Sequence, residues 1–323
     1  MPLEIDENQL RETIGAAEAV RLENRAASRI FRLPDFIILG AAKCGTTTLF
    51  EYLCRHPRIF SPPEKEPQFF ADRFKHPWEW YHSLYTGAGD QLCGDASTIY
   101  TWWQKYPLCA SRLGQHLPDA KLIYIMRHPV ERTFSDYGEQ LKTARALKLP
   151  LDDLVTFERF IEAYDHLVRA GEYIRFIEEY RRHFPLESFL FLLLDDLQRD
   201  PAEVLRRVCR HLGVDENEDL VGSRPIRANS AAEHYRWQTR LSLTAPLRKL
   251  PGLSHLVRAV TTPKLREKIY AFAETTPLGR AKRQRLVPPP MKPETRQALL
   301  QRFREPTLRL ADFLNRDLSH WLV

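Results

Sequence analysis

The stretch Pro34-Asp35-Phe36-Ile37-Ile38-Leu39-Gly40-Ala41-Ala42-Lys43-Cys44-Gly45-Thr46-Thr47-Thr48-Leu49 decides how the chain is read. Its opening apolar run has the length and composition of a buried strand. Gly40 and Gly45 bracket Lys43, and three threonines lead into Leu49-Phe50-Glu51-Tyr52-Leu53, which reads as a helix. Strand, glycine loop and helix N-terminus together make an anion cradle, because backbone N–H groups and the positive end of the helix dipole converge there. Lys43, Cys44, Gly45, Thr46, Thr47 and Thr48 are the expected contacts, with Cys44 a small filler of the loop rather than a nucleophile. The same residues taken alone also fit a glycine turn before an ordinary surface helix.

The position of the lysine narrows the anion. A nucleoside-triphosphate loop carries Lys directly after its second glycine, then Ser or Thr for magnesium. Here Thr46 follows Gly45 and Lys43 lies inside the loop, suited to the bridging oxygen of a short 5′ group. A second strand is expected over Lys121-Leu122-Ile123-Tyr124-Ile125-Met126, followed by Arg127, Pro129 and a helix from Glu131. Ligands of open parallel sheets gather at the carboxyl ends of strands. Arg127 stands there, and Arg132 and Ser135 share one face of the following helix. Arg127 with the Ser135 hydroxyl can hold a second phosphate, although strand-end arginines are often only structural.

Two motifs about eighty residues apart carry a family resemblance. Lys43-x-Gly45-Thr46-Thr47 resembles the 5′-phosphosulfate loop of sulfotransferases that use 3′-phosphoadenosine 5′-phosphosulfate (PAPS). Arg127-x-Pro129-x-x-Arg132-x-x-Ser135-x-Tyr137 resembles the 3′-phosphate motif of the same enzymes. The resemblance implies an α/β, three-layer P-loop-type fold with a central parallel sheet flanked by helices. It also implies PAPS as sulfuryl donor, adenosine 3′,5′-bisphosphate as product, and no metal. Family members close the nucleotide site with a basic loop after the last core strand, which points to Arg236.

Glu66-Pro67-Gln68-Phe69-Phe70 resembles the glutamate-bearing segment of the glycosaminoglycan-modifying branch and its bacterial relatives, which implies Glu66 as catalytic base beside Lys43. From the residues alone, dense prolines around Glu66 fix an extended path. The glutamate is then either plain solvated charge or a carboxylate faced onto the loop and made more basic by Phe69 and Phe70. Asp95 and Ser97 are expected at the acceptor, or else Asp95 caps the following turn. Heparan-type members carry an acidic-Lys-Ser/Thr run where this chain has Asp95-Ala96-Ser97.

The remainder of the 323 residues sets bounds. The net charge of +6 is concentrated, with fourteen Lys or Arg against three Glu between Arg224 and Arg285. Such a segment suits polyanions or a membrane surface, with peripheral contact expected through 245–285. Five cysteines without metal-ligand spacing, and an acidic, polar start, lead to the expectation of a cytoplasmic protein. The organisation expected is a helical arm at 1–33, an α/β core at 34–228, a basic helical segment at 229–290, and a C-terminal helix of the core at 291–323. The acceptor expected is a glycan, a lipid-linked sugar or a small metabolite, with no nucleic-acid partner. Oligomeric state is not legible. The rival functions are a P-loop kinase and a non-catalytic nucleotide- or polyanion-binding protein.

Overall fold

The computed structural model describes residues 32–147, 149–222 and 288–323. The N-terminal arm, Arg236 and nearly all of the basic segment lie outside the described residues. Those described fall into two compact units, 32–133 with 165–222 and 297–323, and 134–147 with 149–164 and 288–296.

At the centre of the first unit is β1 (Phe36–Gly40), in a parallel sheet of order β2-β1-β3-β4 with β2 (Gly94–Asp95), β3 (Lys121–Met126) and β4 (Phe189–Leu193). Phe36, Ile37, Ile38 and Leu39 are fully buried, as a strand with covered faces on both sides requires. The parallel sheet read from the sequence is therefore found. Around it lie α1 (Thr46–Leu53), α2 (Trp78–Ser83), α3 (Cys109–His116), the start of α4 (Pro129–Leu147), α6 (Asp165–Arg169), α7 (Tyr173–Tyr180), α8 (Leu194–Arg199), α9 (Pro201–Leu212) and most of α10 (Pro293–Leu314). The ends of α9 are set by local chemistry. Asp200 accepts a hydrogen bond from the Glu203 N–H at 3.0 Å, Pro201 fills the first turn, and Gly213 closes the helix at φ 73°.

The segment after β2 forms a 3₁₀ turn at Thr98–Thr101, and α3 starts only at Cys109. Pro107 explains the gap, since it has no N–H to give and clashes with a preceding helical turn. β4 stops at Leu193, and Leu194 opens α8.

The second unit is built on aromatic rings. Phe134, Tyr137, Phe157 and Phe160 pack with centroids 5.3–5.6 Å apart for the closer pairs, and the Tyr137 hydroxyl donates to the Leu154 carbonyl at 3.1 Å. Thr156 caps α5 (Phe157–Ala163) by accepting from the Arg159 N–H. Among the described residues no helix is long and apolar enough to cross a membrane.

Candidate active site

The loop after β1 is shaped by its neighbour strand. Pairing between β1 and β3 shifts register between Ile38 and Gly40, and the Ala41 N–H then reaches the Ile125 carbonyl at 2.7 Å. Gly40 (φ 140°) and Gly45 (φ 90°) hold conformations closed to most side chains. They are also crowded: a Cβ would lie 2.9 Å from Thr101 Cγ2 at Gly40 and 2.7 Å from Leu194 Cδ1 at Gly45. Lys43 adopts φ 68° without being glycine, a strained backbone of the kind that gathers at binding sites. Gly45 is the N-cap of α1 and supplies no side-chain cap, and no acidic residue stands in the first turn. The first amides of a helix have no partner within it. Here that first turn carries Thr46 and Thr48, both nearly buried, and half-buried Thr47. Amides, hydroxyls and an ammonium, with no acidic residue in the first turn of α1, form a donor set for an anion.

Arg127, half-buried, is the first residue past β3 and so lies two positions beyond the Ile125 carbonyl that fixes the loop. Tyr173 holds its backbone: the phenol donates to the Arg127 carbonyl at 2.6 Å. The same phenol oxygen lies 3.7 Å from Cys44 Sγ. Cys44 is fully buried, so its side chain is scaffold and only its backbone can serve the anion. Arg132 is fully buried and donates to the Leu167 carbonyl, a strut for α6. Ser135 is half-buried on α4, in the second unit.

Glu66 sits in an extended segment strapped to the chain after β2. The Ala96 N–H donates to the Lys65 carbonyl at 3.0 Å and the Gln68 N–H to Ser97 Oγ at 2.8 Å. The carboxylate makes an ion pair with Lys65 Nζ at 2.5 Å and accepts from Thr98 Oγ1 at 3.3 Å. Thr101, in the same 3₁₀ turn, donates to the Thr98 carbonyl and packs its methyl on Gly40, where the loop begins. The Glu66 carboxylate is thereby linked, through Thr98 and Thr101, to Gly40 at the start of the loop. The expectation about Phe69 and Phe70 is corrected. Both are fully buried in an aromatic cluster, with Phe69 stacked on Tyr81 at 4.4 Å, and the direct partners of Glu66 are Lys65 and Thr98.

Asp95 and Ser97, expected at the acceptor, are interior instead, both with no exposed surface. Asp95 Oδ1 accepts from the Ser97 N–H and Oγ at 2.9 and 2.6 Å, and Oδ2 from Tyr81 and Tyr100 at 2.8 and 2.7 Å. Burial pushes this carboxyl up to about 6, with the four donors pulling the other way. The hub anchors Ser97, Ser97 anchors Gln68, and so Asp95 supports the glutamate segment from behind. Lys65, Thr98 and Tyr173 were not singled out from sequence. Lys65 and Thr98 adjoin the segments read for Glu66 and for Asp95 and Ser97, whereas Tyr173 sits in plain helical periodicity.

A cavity of about 460 Å³ elsewhere, among Asp165, Arg169, Glu172, Arg175 and Arg302, shares no residue with the loop. Its arginines are matched by carboxylates, as in Arg169–Asp165 at 2.6 Å and Arg175–Glu172 at 3.0 Å, which makes it an ion-pair network.

Human heparan sulfate glucosamine 3-O-sulfotransferase 6 is 33% identical over 187 residues, 57% of this chain and 53% of that protein. The bifunctional heparan sulfate N-deacetylase/N-sulfotransferase 1 of Caenorhabditis briggsae is 26% identical over 201 residues, 57% of this chain and 23% of that protein. The chain thus spans about half the length of the first of these relatives, and less of the second. The crystal structure of a sulfotransferase from Alicyclobacillus acidocaldarius superposes with a TM-score of 0.59 at 26% identity, covering 90% of this chain and 99% of that one. Residues 33–224, more than half of the chain and including both strand-end segments, match the sulfotransferase domain model, and the chain belongs to the PAPS-dependent sulfotransferase family.

Proposed function

We propose that the protein transfers the sulfuryl group of PAPS to a hydroxyl or amine of a carbohydrate acceptor. The observation that supports this reading is the contact chain from Glu66 through Thr98 and Thr101 to Gly40, which links the segment carrying the carboxylate to the start of the loop. The loop fits the donor: Gly40 and Gly45 hold backbone turns closed to most side chains, and the first turn of α1 carries no acidic residue. PAPS, when bound, supplies an activated sulfuryl group and a good leaving group. Gly45, Thr46, Thr47 and Thr48 hold its 5′-phosphate, and Lys43 neutralises charge that develops on the bridging oxygen. Arg127, together with Ser135 on the family resemblance, holds the 3′-phosphate. Glu66 accepts the proton of the attacking acceptor group, held in place by Lys65 and Thr98. The heparan sulfate relatives support a carbohydrate as acceptor. The five cysteines, all free thiols, support a reducing, cytoplasmic setting as part of the same proposal.

Sulfate transfer from labelled PAPS across carbohydrate, lipid-linked sugar and small-metabolite acceptors tests the reading. Glu66→Gln should lower turnover by about 10²–10⁴-fold while bisphosphate affinity stays within about threefold. Unchanged turnover would remove Glu66 from the reaction. Tight binding of adenosine 3′,5′-bisphosphate without metal separates this reading from a kinase, for which ATP affinity would rise with magnesium.

A further inference from the structure

We propose that Tyr173 is a positioning residue that couples the two anion-binding segments, fixing the separation at which the 5′- and 3′-phosphates of one nucleotide are gripped. This rests on the nucleotide reading above and adds to it a residue that touches neither phosphate nor sulfur.

One oxygen atom meets both segments. The Tyr173 hydroxyl donates to the Arg127 carbonyl at 2.6 Å, lies 3.4 Å from the Arg127 N–H, and lies 3.7 Å from Cys44 Sγ. A phenol has one proton. With that proton on the Arg127 carbonyl, the oxygen is an acceptor toward Arg127 N–H and toward the Cys44 thiol, whose single proton it shares with the Ala42 carbonyl at 3.6 Å. Cys44 follows Lys43 directly, and Arg127 is the residue at the end of β3. The two segments are about eighty residues apart in sequence, and the shared phenol ties one to the other.

The ring itself is held from two sides. Trp321 lies 6.1 Å away and Tyr124 meets it edge-on at 6.0 Å. Trp321 is in turn pinned by its indole N–H to Asp195 at 3.1 Å. Tyr173 is 2% exposed at the start of α7, so the hydroxyl has no route to substrate and acts only through what it holds.

The same helix provides a control. Tyr180 is 1% exposed, and its hydroxyl donates to the Tyr100 carbonyl at 3.0 Å, away from both segments. Each Tyr→Phe change therefore removes one buried hydrogen bond to a carbonyl from α7.

Calorimetric titration of the full chain with adenosine 3′,5′-bisphosphate, adenosine 5′-monophosphate and adenosine 3′-monophosphate reads the coupling directly. In Tyr173→Phe the bisphosphate should bind about tenfold more weakly, while each monophosphate changes by about threefold or less. The affinity gap between bisphosphate and monophosphates then narrows. KM for PAPS should rise while kcat stays within about threefold. Tyr180→Phe should lower the melting temperature by a similar amount and leave all three affinities unchanged. Cys44→Ala, which cuts only the loop side of the bridge, should narrow the gap by about threefold and serves if Tyr173→Phe does not fold. An unchanged gap in Tyr173→Phe, or in Cys44→Ala where that stands in, overturns the proposal, as does equal narrowing in Tyr180→Phe. A wild-type protein that binds the bisphosphate no better than the monophosphates overturns the nucleotide reading itself.

Discussion

Replacing Asp95 with Asn should make the protein's stability respond differently to pH, and the size of the effect follows from the hub. Asp95 is fully enclosed, and burial raises its pKa from the usual carboxylate range to about 6 despite four donors aimed at it. The folded protein therefore holds this proton more tightly than the unfolded chain does. Its contribution to stability is fully present below about pH 4 and is lost as pH rises through about 6. An elevation of about two pKa units amounts to about 3 kcal/mol in full, of which about 2 kcal/mol falls between pH 4.5 and pH 7.5. Asn does not titrate. Its amide also turns two N–H groups toward hydroxyls that now donate, so the variant should be less stable at both pH values. The deficit should be larger at pH 4.5 than at pH 7.5 by about 2 kcal/mol. Urea unfolding of both proteins at the two pH values measures this, and subtracting variant from wild type cancels the other titrating groups. A deficit that stays constant, or grows with pH, would refute the reasoning. The four donors would then outweigh burial, and the carboxylate would be charged throughout.

Gly45→Ala should cost about 1–2 kcal/mol in thermal or urea unfolding through its φ of 90°, since the Leu194 methyl in its way ends a flexible side chain and can move. The same variant should bind adenosine 3′,5′-bisphosphate at least about tenfold more weakly, because the loop amides turn away; unchanged affinity would remove the loop from the site. Arg316→Ala breaks a two-point pair with buried Asp196, at 3.0 and 3.2 Å. Arg199 still reaches Asp196 at 2.6 Å and Arg316 is 41% exposed, so the expected loss is only about 1 kcal/mol by urea midpoint. A loss above about 3 kcal/mol would mean that the carboxylate had been left without effective compensation.

Much of this fold could be read because its signals are local. An apolar run of strand length, glycines on either side of Lys43 and a threonine-rich helix start all lie within one stretch, and the structure keeps them in that order. Asp200, Pro201 and Gly213 mark α9 by the same kind of short-range chemistry. What escaped was set by distant partners. Whether Asp95 faces solvent or core depends on Tyr81 and Tyr100, which arrive from separate turns of the chain. The side chains beside Glu66 depend on which way Gln68 turns; its φ of 57° sends Phe69 and Phe70 inward. Tyr173 carries no local signature, since its significance lies wholly in two segments that the sheet brings to it.

The hydrogen bond from Ala41 to Ile125 has a bearing on when this protein becomes competent as it is made. Until β3 has emerged and docked, the chain around Lys43 lacks the neighbour that bends it, however complete its own residues are. Pairings of such long sequence separation form slowly, because much chain must be ordered before any contact rewards it. An amino-terminal fragment ending before residue 120 should therefore contain every residue of the loop and still be unable to capture a phosphate.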